Sequence, residues 1–168
     1  MLFRSLEGPV PFAGDGCGGR FRSVSLFTGA SLREGVAAGH ADFVPIFLSD
    51  IPALFTSGQV RLDAALVQLS PPDRHGQCTL GTSVDATRAA VDSGALVLAE
   101  INDRCPRTHG HSVVAAEGVT AFCATDRPLH ERESPATSAV AAAIGASVAE
   151  LVEDRACLQL GIGEIPDA

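Results

Sequence analysis

Apolar runs of strand length alternate along the chain with stretches of helical spacing, and Gly, Pro, Asp or Ser separates them. Residues 23–28 (SVSLFT), 42–48 (DFVPIFL), 62–69 (LDAALVQL) and 95–101 (ALVLAEI) read as strands. Ser31-Leu32-Arg33-Glu34 has the form of a capping box and opens a short helix ending at Gly39. A second helix is expected over 49–57, with Pro52 in its first turn, and a third over 83–93. Ser134 followed by Pro135 predicts the start of a long Ala-rich helix running to about Val152. The strands are apolar rather than strictly alternating, which predicts an α/β fold with a parallel or mostly parallel sheet flanked by helices and covered on both faces.

Three loops follow strand-like runs: 70–80, 102–111 and 161–166, the last after a predicted strand around Leu158–Leu160. In a parallel sheet such loops share one edge, where α/β proteins place ligands. This edge would gather Asp73 and His75 from the first loop, Asp103, Arg107, His109 and His111 from the second, and Glu164 with glycine amides from the third. Gly161-Ile162-Gly163 before Pro166 has two readings. It is an ordinary turn whose glycines permit positive φ, or a cluster of unpaired N–H groups suited to phosphate, carboxylate or an oxyanion.

Other chemistry has less support. Residues 8–22 hold two prolines and five glycines and form a loop, and their GDGCGG lacks the lysine of a P-loop. His109 and His111 with Cys105 and His75 do not have the spacing of a usual zinc motif, so no metal site is expected. No Gly-x-Ser-x-Gly occurs. Five cysteines, spread without a Cys-x-x-Cys, read as reduced and mostly buried apolar residues.

Composition narrows the partners. A chain of 168 residues that is 46% hydrophobic can bury a sizeable core. Twelve basic against twenty acidic residues give a net charge of −8, without a basic cluster able to track a phosphodiester backbone, so nucleic acid is not expected as a partner. The opening residues 1–7 hold no apolar core of signal-peptide length and no run approaches the ~20 apolar residues of a membrane span, so the expected location is the cytoplasm, away from the membrane.

Three motifs together resemble one family. SPPDRHGQCTLGTSVD (70–85), INDRCPRTHG (101–110) and LQLGIGEIPDA (158–168), preceded by GRFRSVSLFTGASLREGVAAGHADFVPIFLSDIP (19–52), are similar to the acetyl-CoA hydrolase/transferase family, which includes the 4-hydroxybutyrate and acetate CoA-transferases. The resemblance runs from about Leu6 to Ala168. It implies an enzyme that moves coenzyme A between an acyl group and a small carboxylate, with acyl-CoA as substrate and no permanently bound cofactor. A glutamate attacks the thioester carbonyl to give a mixed anhydride and CoA thiolate. The thiolate then attacks the glutamyl carbonyl, releasing the acyl group as a carboxylate, and a second carboxylate reverses the sequence.

The resemblance also implies that Gly161, Ile162, Gly163, Glu164 and Ile165 contribute to the CoA site. The family usually has Gly or Ala at the position of Glu164; a carboxylate there adds bulk and negative charge beside a polyanionic ligand. The family's catalytic glutamate lies further on, in a His-x-Glu motif, so no catalytic residue is expected among these 168. The chain is expected to be part of a first domain, lacking an initial βα segment and a second domain, and to be inactive alone. A missing C-terminal half or a homo-oligomer is its expected partner. The alternative is a non-catalytic remnant or interaction module keeping a weak CoA half-site; a sugar-phosphate isomerase would need a base and phosphate signature that is not found.

Overall fold

The computed structural model describes residues 20–129, 136–161 and 163–168. The chain divides into two compact units, Met1–His130 and Glu131–Ala168. Most of the Gly8–Arg22 loop, Cys17, the Ser134–Pro135 pair and Ile162 lie outside the described residues.

The first unit opens with β1 (Ser23–Ser25), α1 (Ala30–Ala37) and β2 (Ala41–Phe43). The two strands are parallel, with Ser23 opposite Ala41, and α1 supplies the crossover that parallel pairing requires. Arg22 fastens their start, donating to both carboxylate oxygens of Asp42 at 2.7 and 2.5 Å. Two local expectations are corrected. Gly29, not Ser31, is the N-cap of α1, which places Ser31 inside the first turn. The second strand ends at Phe43 rather than continuing to Leu48. Pro45 has no N–H to give a ladder, and the chain passes through a 3-10 turn (Leu48–Asp50) into α2 (Ile51–Thr56).

The main sheet follows. β3 (Ala64–Leu69) leads to β4 (Gln77–Thr79), α3 (Asp85–Asp92), β5 (Leu96–Asn102), β6 (Val113–Ala115) and β7 (Ala121–Thr125). β3, β5 and β7 form a parallel sheet in that order, while β4 and β6 pair antiparallel beside it. The class is therefore the expected one, α/β with a mostly parallel sheet. The short strands β4 and β6 fall in segments expected to be loop or unassigned. Each lies in a connection leaving the carboxyl end of a long strand, and their pairing is what joins those connections.

One face of the sheet is core. Ala65, Val67, Leu69, Val97 and Ala99 are buried against Cys78, Leu80 and Val114. Complete burial of a leucine such as Leu69 contributes about 2 kcal/mol. Ala86 and Ala89 of α3 pack into a second cluster with Leu26, Ile51 and Phe55, so the small residues of α3 let it lie close to both α2 and the sheet. Among the described residues of this unit the other face is uncovered, where the sequence predicts cover on both faces: Leu66 is 82% exposed and Leu96 57%.

The second unit is built on α4 (Ala139–Ala149). Its N-cap is Ser138, whose Oγ accepts the Ala141 N–H at 3.1 Å. Its side chains are apolar except for Ser147, which bonds back to the Ala143 carbonyl at 3.0 Å. Leu158–Leu160, expected as a strand, pairs with no strand among the described residues and is irregular. Residues 163–167 close one turn, with the Asp167 N–H donating to the Gly163 carbonyl at 3.0 Å.

Candidate functional site

The first two sequence-predicted loops come together. Arg107 Nη2 donates to Asp73 Oδ2 at 2.7 Å, and Arg107 Nη1 donates to the Gln77 carbonyl at 2.8 Å. Asp73 is held from behind as well, its Oδ1 accepting the N–H groups of His75 and Gln77 at 2.8 and 2.9 Å. The Gln77 N–H is the main reason its carboxyl titrates below the usual range, with Arg107 a further contributor. Asp73 is thus a fixed anion that braces the turn into β4.

Beneath this pair a chain of hydroxyls crosses between the loops. Ser70 Oγ accepts the Thr79 N–H at 2.9 Å, and Thr79 Oγ1 accepts the Thr108 N–H at 3.2 Å. Thr108 Oγ1 donates to the Gly81 carbonyl at 2.9 Å, and Ser112 Oγ donates to the Thr108 carbonyl at 3.2 Å. Ser70, Thr79 and Ser112 are buried, so these bonds satisfy groups that water cannot reach. Among the described residues none of the four hydroxyls bonds an imidazole, and the network is suited to holding the loops rather than to nucleophilic attack.

Buried Asn102 ends β5 by donating to the Arg127 carbonyl and accepting the Arg104 N–H, both at 3.0 Å. His109 and His111 are exposed, and among the described residues no three metal-ligating side chains stand together. Cys78 and Cys105 are buried, and burial pushes both thiols up. Cys123 and Cys157 are exposed, against the expectation of mostly buried cysteines. Cys123 lies on β7, whose residues are largely uncovered, and Cys157 on the irregular stretch after α4.

Glu100 was not singled out by sequence. It faces the open side of the sheet, where Arg127 donates to both its oxygens, Thr125 Oγ1 donates at 2.8 Å and Gln68 Nε2 at 3.2 Å. Arg127, chiefly, holds its carboxyl down at about 2. The only sequence signal was a charge inside the apolar run ALVLAEI. The groove it borders, about 560 Å³, is lined by Glu100, Gln68 and Arg127 and by apolar side chains such as Leu66, Leu98 and Phe122.

In the second unit, Gly161 and Gly163 lie under the Pro166 ring: a Cβ on either would stand 3.8 or 3.9 Å from it. Gly163 has φ of 138°, a conformation that favours glycine. Ile165 is exposed. The Glu164 carboxylate turns to α4, its Oε1 accepting the Ser138 N–H at 3.2 Å. The Ser138 hydroxyl and N–H together hold it below the usual carboxylate range.

Residues 12–128 match the family model described as the acetyl-CoA hydrolase/transferase N-terminal domain. The chain belongs to this family. A succinyl-CoA:acetate/propanoyl-CoA:succinate CoA transferase of Fasciola hepatica is 48% identical over 163 residues, 96% of this chain and 34% of that protein. A 4-hydroxybutyrate coenzyme A transferase of Clostridium kluyveri is 40% identical over 161 residues, 96% of this chain and 38% of the relative. The crystal structure of 4-hydroxybutyrate CoA-transferase from Porphyromonas gingivalis superposes with a TM-score of 0.72 at 31% identity, covering 87% of this chain and 38% of that one. The chain spans about a third of the length of the curated relatives it matches.

In this member of the acetyl-CoA hydrolase/transferase family, the structure unites two of the three loops expected at one edge, through β4, β6 and the Asp73–Arg107 pair. The third loop belongs to the second unit. Among the described residues no helix is long and apolar enough to cross a membrane.

Proposed function

We propose that this chain is part of the first domain of an acyl-CoA:carboxylate CoA-transferase or acetyl-CoA hydrolase, and that Gly161, Ile162, Gly163, Glu164 and Ile165 contribute to its coenzyme A site. Substrates of this class are in the names of the relatives, which are CoA transferases acting on succinyl, propanoyl, acetate or 4-hydroxybutyrate groups. The observation that carries the reading is the match over 12–128, joined to identity of 40–48% across 96% of the chain. The sharp turn at Gly163 supports the site, because a glycine-rich turn lets backbone amides approach a phosphate closely.

The nucleophilic carboxylate of the reaction lies outside these residues. Asp73 is bonded to two N–H groups and Arg107, and Glu100 to Arg127, Thr125 and Gln68, so neither is a free carboxylate poised for attack. The expected outcome is CoA binding without turnover. Incubation with acetyl-CoA and a second carboxylate, followed by intact-mass measurement, should show neither transferred CoA nor an enzyme-bound thioester. A borohydride-sensitive adduct on Glu164 or Glu100 would overturn this assignment.

The open sheet face favours a second reading, an interaction module that keeps a CoA half-site, since a surface carrying Leu66, Leu96 and Leu98 suits contact with another polypeptide. Sedimentation tests this second reading. Self-association abolished by Leu66→Glu supports the module, and a monodisperse monomer opposes it.

A further inference from the structure

The start of α4 lacks half of its cap. In a capping box the side chain three residues beyond the N-cap reaches back to the N-cap N–H, but that position here is Ala141, which has nothing to offer. Glu164, 26 residues away, supplies the missing acceptor to the Ser138 N–H. A carboxylate at this point also meets the positive end of the helix macrodipole. Two turns further along α4, Gly145 leaves room for Ala168: a Cβ at 145 would stand 3.1 Å from the Ala168 carbonyl carbon. Residues 164 and 168 therefore meet α4 at 138 and 145, and the segment between them runs along the helix.

We propose that Glu164 is the positioning residue of the glycine turn, its carboxylate latching residues 163–168 along α4 and so fixing where Gly161 and Gly163 present their amides. The proposal rests on the coenzyme A reading of that turn. The Glu164 charge is directed at the start of α4. The geometry needs an acceptor oxygen at 164 more than a full charge, so glutamine can replace glutamate where alanine cannot.

The test uses the whole chain with Glu164→Ala, Glu164→Gln and Gly145→Leu, CoA itself as probe, and circular dichroism to verify that α4 is retained. Amide hydrogen exchange at Ser138 and Asp167 should be severalfold faster in Glu164→Ala, near wild type in Glu164→Gln, and faster at Asp167 alone in Gly145→Leu. CoA affinity should fall in Glu164→Ala and return in Glu164→Gln. Unchanged exchange in Glu164→Ala overturns the latch. So does tighter CoA binding by both the Ala and Gln variants, which is the signature of a charge opposing the ligand. Altered exchange with no CoA binding by any form supports the latch and removes the coenzyme A reading.

Discussion

Arg107 reaches across 34 positions of sequence to place its Nη2 2.7 Å from Asp73 Oδ2, and with that bond it ties together the connections that leave β3 and β5. The pair sits above the hydroxyl network of Ser70, Thr79, Thr108 and Ser112, so the same two loops are joined by charge at the surface and by neutral hydrogen bonds beneath it. The edge is thereby fixed by the chain's own bonds.

The two partners of that bond are not equivalent. Asp73→Ala removes the acceptor for His75 and Gln77 as well as for Arg107, whereas Arg107→Ala leaves the turn around Asp73 intact. Urea denaturation should therefore show a larger loss for Asp73→Ala. A double-mutant cycle should show favourable coupling that shrinks in high salt, because both side chains are partly exposed.

Gly81 is required by Cys105. Its φ is +59°, and a Cβ there would stand 2.4 Å from Cys105 Sγ. Gly81→Ala should cost roughly 1 kcal/mol for the backbone and about 1–3 kcal/mol more for overpacking. Adding Cys105→Ala removes the obstructing sulfur. Thermal melts of the double variant should recover part of the loss and keep the backbone share; no recovery would show that the contact is not what excludes a side chain.

Glu100 makes stability depend on acid. Its carboxyl is lowered from 4.5 to about 2 in the folded chain, principally by Arg127. The ionised form is therefore favoured by folding, and the stabilisation is complete above the unfolded value of 4.5 and lost as pH falls towards 2. Unfolding free energy should decline over that window. Arg127→Ala should flatten the decline and lower stability at neutral pH, where the wild type has its full benefit.

The long strands were legible because β3 and β5 are apolar runs bounded by turn residues, and α2 and α3 because of Pro52 and the helical spacing over 83–93. The short strands were not. β4 and β6 have three residues each, too few to display a period, and their pairing is a relation between two separate crossovers. Pro45 should have shortened the second strand, since a ladder position without an N–H cannot be filled from that side. Ser31 invited an N-cap that the chain made at Gly29 instead. The edge residues Asp73 and Arg107 could be named from their loops, but their contact belongs to the folded sheet. The direction of Glu164 was hidden for a similar reason: it follows from Ala141 standing where α4 would otherwise carry its own acceptor.

The measurement that bears most directly on the account is a titration of coenzyme A into the whole chain, followed through the backbone amide resonances of Gly161 and Gly163. Saturable shifts are expected at both glycines and should weaken as salt is added, since the ligand's phosphates would be held partly by electrostatics. Saturable binding that leaves both resonances unmoved, or no binding at all, would contradict the assignment of this turn to the coenzyme A site.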